Sequence, residues 1–314
     1  MAERNFREML EERWAKGCFL CVGLDSDAGQ IPPQVPGGSV EERIFEFNRA
    51  IVDATVEFPG LTPDEKAMMF PDHQQAALFP GVNPDLGPTP LVCAYKPNFA
   101  FYAEQGDAGL RALRATVAFI HDRAPGVPVI LDGKFGDTSN TNRKYANLAF
   151  EYVDADAVTV NPYLGIGSLG HFLMRADRGV FILCRTSNSE AIEFQDLRVG
   201  DGEPFYRVVA RRVATVWNTH GNCGLVVGAT YPRELKDVRA VVGDLPILIP
   251  GVGEQGGDVR AAVLAGRDSR NRGIIVNASR SIIFAPPEVG PQIRTVRMWH
   301  DIKSALEHGG ERNE

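Results

Sequence analysis

VPVILDGKFGDTSN, residues 127–140, is the stretch that decides the predicted fold. It starts with an unbroken apolar run, 127–132, and ends where a helix candidate begins at 139. An unbroken apolar run is typical of a parallel strand that is buried on both faces. A strand with one solvent-exposed face instead shows alternating apolar and polar residues. A buried strand that is followed closely by a helix indicates an α/β protein.

The same strand–helix unit recurs along the chain. Seven further apolar runs are predicted strands, at 18–24, 91–96, 157–161, 180–184, 224–228, 246–250 and 273–277. Helix candidates lie at 41–57, 108–123, 139–152, 202–219, 231–241 and 258–266. Asp107 and Ser139 are candidate N-caps, and Pro232 suits a first helical turn. Eight strands that alternate with helices predict an α/β fold, a single (β/α)8 TIM barrel, with a doubly wound sheet as the alternative.

One segment breaks this rhythm. Residues 58–90 are rich in proline and glycine and carry little periodic signal. The segment is long for a connection, so we expect an insertion between helix 1 and strand 2. Nothing else resembles a linker, and residues 1–314 are expected to form one barrel domain with a flexible tail at 309–314.

Composition and charge limit the expected partners. The formal net charge is −7, and no block of lysine and arginine stands out. A mildly acidic chain lacks the electrostatic footprint for nucleic acid or an anionic membrane, although a few local cations can still hold a small anion. The first 18 residues are charged and predict an amphipathic helix rather than a signal peptide, and no run is long enough to span a membrane. We expect a cytoplasmic protein.

The cysteines and histidines predict no metal site. Cys18 and Cys21 form a C-x-x-C pair, but no second pair completes a zinc site, and buried thiols in a reducing cytoplasm are the simpler interpretation. None of the six histidines falls at a strand end beside a nucleophile. Neither Ser–His catalysis nor a histidine-based metal site is therefore expected.

Charged residues gather at the predicted strand ends, where the active sites of such barrels lie. Asp25 ends strand 1, Lys96 ends strand 2, and strand 3 runs into Asp132 and Lys134. While the chain stays extended, residues two apart point to the same face. Asp137 adds a further carboxylate, and each lysine can be stabilised in its charged form by a neighbouring aspartate. The pattern predicts a catalytic Lys/Asp cluster, with solvated ion pairs on a rim as the alternative.

A glycine-rich loop follows strand 7. GVGEQG at 251–256 matches G-x-G-x-x-G, but the next strand ends in Asn277 rather than in the acidic residue that a dinucleotide site needs. In barrels, the loops after strands 7 and 8 often bind phosphate. Here backbone N–H groups, the helix start at Asp258 and the Arg280 guanidinium would face the anion, unless the glycines merely form a turn.

These residues resemble one known family. Asp132-x-Lys134-x-x-Asp137, followed by Thr141, is similar to the D-x-K-x-x-D signature of orotidine 5′-monophosphate decarboxylases. Other segments resemble the longer bacterial branch of that family. They are GLDSD (23–27), KPNFAFY (96–102), VNPYLG (160–165), RTSN (185–188), VVGATYP (226–232), PGVGEQGG (250–257) and NASRSIIFA (277–285).

The resemblance implies a cofactor-free enzyme that decarboxylates orotidylate to uridylate in pyrimidine synthesis. Its implied catalytic residues are Lys134, Asp132, Lys96 and Asp137. Its implied substrate-binding residues are Asp25, Thr138, Thr141, Ser187, Pro250, Gln255, Gly256 and Arg280. It also implies a homodimer in which Asp137 and Thr141 reach into the partner's site.

Two departures and two alternatives remain. Thr138 stands where the family usually has isoleucine, and the 58–90 segment is longer than expected. A related barrel enzyme that uses Mg²⁺ to decarboxylate or cleave a sugar phosphate shares the D-x-K-x-x-D motif. A catalytically silent nucleotide-phosphate binding protein on the same scaffold is the other alternative.

Overall fold

Eight parallel strands form the centre of the computed structural model, which describes residues 4–60, 88–252 and 256–308. They are β1 (Leu20–Leu24), β2 (Val92–Pro97), β3 (Ile130–Phe135), β4 (Ala157–Val160), β5 (Gly179–Arg185), β6 (Cys223–Val227), β7 (Ile247–Pro250) and β8 (Ile274–Ala278). Their order in the sheet is β2-β1-β8-β7-β6-β5-β4-β3. Two parallel bridges, Tyr95 to Val129 and Asn98 to Asp132, join β2 to β3 and close the barrel. The (β/α)8 prediction is confirmed, and the doubly wound alternative is wrong.

Helices surround this barrel. They are α1 (Phe6–Ala15), α2 (Val40–Thr55), α3 (Gly106–Arg123), α4 (Ser139–Asn147), α5 (Ile166–Leu173), α6 (Phe205–Arg212), α7 (Pro232–Val242), α8 (Val259–Gly266) and α9 (Gly290–His308). In α2, Ile44, Phe47 and Ile51 recur at helical spacing and are buried, which explains why this helix packs on the sheet. Short helices at Phe99–Ala103 and Arg280–Ile283 directly follow β2 and β8.

The first helix lies across the amino ends of the strands. The Phe6 N–H donates to the carbonyl of Asp177 just before β5, and the Arg13 guanidinium donates to the carbonyl of Val92 in β2. The Trp14 indole donates to the carbonyl of Ile274 in β8. Because α1 covers this end, the opposite end, where the strands finish, is the one that can hold a site.

The two predicted N-caps are wrong. Helix α4 is capped by Thr138, and Ser139 is its first helical residue. The Asn142 side chain bonds both the N–H and the carbonyl of Asp137, and this turn sets where the helix begins. Asp107 lies inside the first turn of α3, where its charge still suits the helix dipole. Pro232 does begin α7 as expected.

The predicted insertion enters and leaves the barrel through a two-residue ladder. Glu57 pairs with Pro90, and Phe58 pairs with Thr89, in antiparallel register. Residues 61–87 of the predicted insertion, and the predicted flexible tail at 309–314, lie outside the described residues. Within the described ranges, no helix combines the length and the apolar character needed to cross a membrane.

Candidate active site

A cavity of about 430 Å³ opens at the carboxyl ends of the strands. Seven of the predicted site residues line it: Asp25, Lys96, Asp132, Lys134, Ser187, Pro250 and Arg280. They come from the ends of β1, β2, β3, β5, β7 and β8, which are far apart in sequence and meet only because the barrel closes. Three cations and two carboxylates among them make the cavity locally more positive than the acidic chain as a whole.

Asp132 lies between two lysines at the centre of the cavity. Lys96 Nζ donates to Asp132 Oδ2 at 2.7 Å, and Lys134 Nζ donates to Asp132 Oδ1 at 2.7 Å. The Lys96 side chain is 4% exposed, whereas that of Lys134 is 48% exposed. Lys96 therefore serves as a buried counter-ion, and Lys134 is the ammonium that a ligand can reach.

The ionised forms of Asp132 and Lys96 stabilise each other. Burial alone would raise the pKa of Asp132, but Lys96 and Lys134 outweigh it and hold the pKa well below its usual range. Burial would likewise lower the pKa of Lys96, but Asp132 and Asp25 raise it above its ordinary value. Near neutral pH, Asp132 is thus a carboxylate and Lys96 an ammonium.

A bulge in β3 places the Lys134 side chain. The pairing of β3 with β4 passes from Leu131–Val158 to Phe135–Val160, so β3 gains two residues over its partner. Within this bulge Lys134 has φ +47°, a left-handed conformation that a side chain rarely adopts. Gly133 permits the turn, because a Cβ there would lie 2.3 Å from the Phe135 ring. The extended backbone on which the sequence argument depended is interrupted at Lys134, yet both side chains line the same cavity and their charged atoms meet.

Thr159, on β4, also belongs to this cluster, and the sequence prediction missed it. Its hydroxyl accepts a hydrogen bond from the Lys134 N–H at 2.9 Å and donates to Asp132 Oδ1 at 2.8 Å. The available signal was a single threonine inside the apolar run 157–161. A hydroxyl in such a run is ordinary, so only the neighbouring strand reveals its partners.

Two buried oxygens at the cavity have no hydrogen-bond donor among the described residues. They are Asp25 Oδ1, at the end of β1, and Asn277 Oδ1, in β8. Gly23 lets the two strands approach here, since a Cβ would lie 2.0 Å from the Ser279 hydroxyl oxygen. Unsatisfied buried acceptors are costly, so this wall is suited to a ligand with hydroxyl or N–H donors.

Arg185 anchors the loop that carries Ser187. Its guanidinium is buried, pairs with both oxygens of Asp196 at 2.8 and 3.1 Å, and lies 4.0 Å from the centre of the Tyr231 ring. The side-chain amide oxygen of Gln195 accepts a hydrogen bond from the Thr186 N–H at 2.8 Å. Within the RTSN segment, Arg185 is therefore structural, while Ser187 faces the cavity.

The two described ends of the glycine-rich loop after β7 lie next to each other. Pro250, Gly251 and Val252 line the cavity, and Val252 bridges to Gly257. Gly256 has φ +80° and is exposed, but it is not among the residues that line the cavity. The predicted phosphate ligand Gln255 lies outside the described residues. Arg280, which begins the short helix after β8, lies in the cavity wall.

Three predicted residues, Asp137, Thr138 and Thr141, lie at the start of α4 and do not line the cavity. Asp137 accepts from the Thr138 N–H at 2.6 Å, and its backbone is bound by Asn142. Three of the four predicted charged residues thus meet in this chain, and Asp137 stands apart. Within the described part of the chain, no three His, Cys, Asp or Glu side chains are arranged to hold a metal ion.

The fold and cavity define a TIM-barrel enzyme with a lysine–carboxylate cluster, and comparison with known proteins identifies its family. Residues 86–291 match the Orotidine 5'-phosphate decarboxylase / HUMPS family. The chain is 44% identical over 282 residues to orotidine 5'-phosphate decarboxylase of Ralstonia pickettii, covering 90% of both proteins. It is 42% identical over 282 residues to the enzyme of the same name from Cellvibrio japonicus, again covering 90% of both.

A solved structure, that of Leishmania donovani OMP decarboxylase, superimposes with a TM-score of 0.75 at 32% identity. The match covers 96% of this chain and 99% of that one. The chain therefore belongs to the orotidine 5'-phosphate decarboxylase / HUMPS family. Its assignment to the longer bacterial branch stays a prediction.

Proposed function

We propose that the protein decarboxylates orotidine 5′-monophosphate to uridine 5′-monophosphate, the last step of pyrimidine nucleotide synthesis, without a cofactor. The observation that carries the proposal is the reachable ammonium of Lys134, held 2.7 Å from a carboxylate that Lys96 also binds. A fixed cation beside a carboxylate is the arrangement that a departing carboxyl group and a developing carbanion require.

Lys134 supplies the charge that the reaction needs. Loss of CO2 from C6 leaves an electron pair in the plane of the pyrimidine ring, where the π system cannot delocalise it. A preorganised ammonium stabilises this pair, and the same group then donates a proton to C6. Asp132 faces the substrate carboxylate, and the repulsion between them is relieved as CO2 departs.

The remaining cavity residues bind the parts of the substrate that do not react. Lys96 and Asp25 hold the ribose, and the unsatisfied Asp25 oxygen is suited to accept from a ribose hydroxyl. Ser187 bonds the pyrimidine edge, and Arg280 and the Pro250 segment, which line the cavity, bind the phosphate. Gln255 and Gly256 stay phosphate ligands predicted from the sequence alone. Phosphate binding far from the reacting bond helps to align the substrate and close the site.

A homodimer with shared active sites accounts for the residues that stand apart. Asp137, Thr138 and Thr141 carry polar groups at a surface outside their own cavity. The connections that follow β4 and β5 form an apolar patch in which Tyr163, Phe194, Leu197 and Val199 line one groove. Leu164 and Ile166, which follow Tyr163 in the chain, are exposed as well. Asn142 of α4 contacts this region by donating to the Ser168 carbonyl in α5. A contiguous exposed apolar patch favours a protein interface, and a second copy would bring Asp137 and Thr141 to the neighbouring cavity.

We also propose that the protein is a single-domain cytoplasmic enzyme. The five cysteines are free and buried, which suits a reducing compartment.

One assay tests the activity. The purified protein is incubated with orotidylate in the presence of EDTA, and the ultraviolet spectrum is followed as uridylate forms. We expect turnover that is independent of the chelator. Turnover of a sugar phosphate only with Mg²⁺ would instead support the metal-dependent relative, and binding of orotidylate without turnover would support a silent binding protein.

A further inference from the structure

Thr159 lies at the junction of the two groups on which the reaction depends. Its side chain is 1% exposed and sits in β4 directly beside the bulge of β3. The hydroxyl oxygen accepts from the Lys134 backbone N–H at 2.9 Å and donates to Asp132 Oδ1 at 2.8 Å. One buried hydroxyl therefore bonds both the backbone of Lys134, the proposed proton donor, and the carboxylate of Asp132.

The donor set around Asp132 leaves its carboxylate little freedom. Lys96 donates to Oδ2, and both Lys134 and Thr159 donate to Oδ1. Lys134 is long and half exposed, so its ammonium can move toward a substrate. Thr159 is short, β-branched and buried, so its hydroxyl keeps one direction when Lys134 moves.

The backbone at Lys134 needs a fixed partner. A non-glycine residue at φ +47° is strained and persists only where its surroundings hold it. The bulge interrupts the ladder between β3 and β4 here, so the Lys134 N–H finds the Thr159 hydroxyl in place of a backbone carbonyl. Without that hydroxyl the N–H would lose its acceptor, and the bulge could relax toward an ordinary strand.

We propose that Thr159 is a positioning residue for decarboxylation, which orients Asp132 and holds the Lys134 bulge without touching the substrate. This inference rests on the proposed function of the cavity. It predicts that removing the hydroxyl impairs the chemical step more than substrate binding, because the phosphate and ribose contacts lie elsewhere in the cavity.

The test compares two variants that each change one of the two groups on the Thr159 Cβ. Thr159→Val keeps the branched shape and removes the hydroxyl, whereas Thr159→Ser keeps the hydroxyl and removes the methyl group. We expect Thr159→Val to lower kcat about 10- to 100-fold, since small displacements of reacting groups have effects of this order. KM should change less than about threefold, and Thr159→Ser should keep kcat within about fivefold of wild type.

A matched control separates positioning from stability. Thr55, on α2 at the outside of the barrel, also buries a hydroxyl, which bonds the Ile51 carbonyl and the Tyr95 hydroxyl. Thr55→Val should lower the melting temperature while leaving kcat unchanged. If Thr159→Val does not fold, Thr159→Ser and Thr159→Ala form the decisive pair, because they differ only in the hydroxyl oxygen.

The outcomes are distinct. Wild-type kcat in Thr159→Val, or an equal loss of kcat in the serine and valine variants, would overturn the inference while the proposed function stands. If Thr159→Val does not fold, equal kcat values for Thr159→Ser and Thr159→Ala would likewise overturn the inference and leave the proposed function standing. A wild-type protein that does not decarboxylate orotidylate would overturn the proposed function itself, and the inference with it.

Discussion

At the scale of single residues, Lys134 combines accessibility with a fixed charge environment. Its side chain is half exposed in the cavity, and its ammonium bonds Asp132 at 2.7 Å. Removing it does not leave Asp132 as an isolated buried charge, because Lys96 still binds the other carboxylate oxygen. A buried carboxylate that keeps one ion pair avoids most of the cost of an uncompensated charge. The fold should therefore tolerate changes at Lys134 that the chemistry does not.

We predict that Lys134→Ala abolishes turnover while the protein stays folded. The variant loses both the cation that stabilises the carbanion and the proton donor, so kcat should fall by at least about 10⁴-fold. Steady-state kinetics with orotidylate and a thermal melt measure the two effects. Lys236→Ala, on the exposed face of α7, is the control and should behave as wild type. A Lys134→Ala enzyme with a tenth of wild-type activity would refute the role assigned to this lysine.

We predict that Arg280→Ala weakens the binding of orotidylate far more than that of orotidine. Charge-assisted hydrogen bonds to phosphate are strong, and only the nucleotide carries the phosphate. The kcat/KM for orotidylate should fall by at least about 100-fold, whereas the kcat/KM for orotidine should change little. Arg233→Ala, at an exposed position of α7, serves as the control. Equal losses for both substrates would place Arg280 away from the phosphate.

At the scale of elements, Asp156 ties three segments together at the closed end of the barrel. Just before β4, its buried carboxylate accepts from Arg4 at 2.7 Å, from His121 of α3 at 3.2 Å and from the Val129 N–H at 2.8 Å. Burial would raise the pKa of Asp156, but His121 and Arg4 outweigh it and lower the pKa. The segment before α1, the end of α3 and the start of β4 thus share one buried charge.

We predict that Asp156→Asn lowers the free energy of unfolding by about 2 kcal/mol at pH 7 and leaves kcat unchanged. Because the pKa of Asp156 is lower in the folded state, its stabilisation is present above about pH 4, the ordinary pKa of aspartate, and is lost as the pH falls further. Urea unfolding at pH 7 and pH 3 should show the gap between variant and wild type narrowing at pH 3. A gap that does not change with pH would mean that the ionised carboxylate adds no stability.

At the scale of the whole molecule, the two ends of the barrel have separate tasks. Helix α1 and the Asp156 cluster close the amino ends of the strands, while the cavity opens at their carboxyl ends. The polar start of α4 and the apolar patch after β4 and β5 border the cavity side. The buried Asp156 cluster and the proposed site of the reaction thus lie at opposite ends of the barrel, and the proposed dimer interface lies beside that site.

We predict that inactive Asp137→Ala and Lys134→Ala subunits regain activity when they are mixed and allowed to re-associate. In a mixed dimer, one site combines Lys134 of one chain with Asp137 of the other and is intact. Random pairing makes half of the dimers mixed, each with one intact site, so about a quarter of wild-type activity should return. Mass spectrometry verifies the exchange, and exchange without recovered activity would contradict the shared site.

Much of the fold and part of the site could be predicted from local signals. Unbroken apolar runs and helical periodicity are properties of neighbouring residues, so the eight strands were placed within three residues of their observed ends. The largest error is β3, expected at 127–132 and observed at Ile130–Phe135. Val127 and Val129 are buried before the strand begins, and the strand continues past Leu131 because Asp132 bridges to Asn98 and Phe135 pairs with Val160. The rule that barrel sites lie at strand ends then identified seven of the residues that line the cavity.

Tertiary structure alone decided how the reacting groups are held. The left-handed Lys134, the hydrogen bonds of Thr159 and the position of Asp137 outside the cavity depend on which atoms of distant segments meet. The sequence around Thr159 and Asp137 does not indicate which atoms their side chains will contact in the folded chain. The sequence by itself determined a barrel with charged residues at the carboxyl ends of its strands, because burial and periodicity are properties of neighbouring residues. The bulge in β3 and its register against β4 determined where that charge acts, because hydrogen bonds between strands form only when the chain has folded.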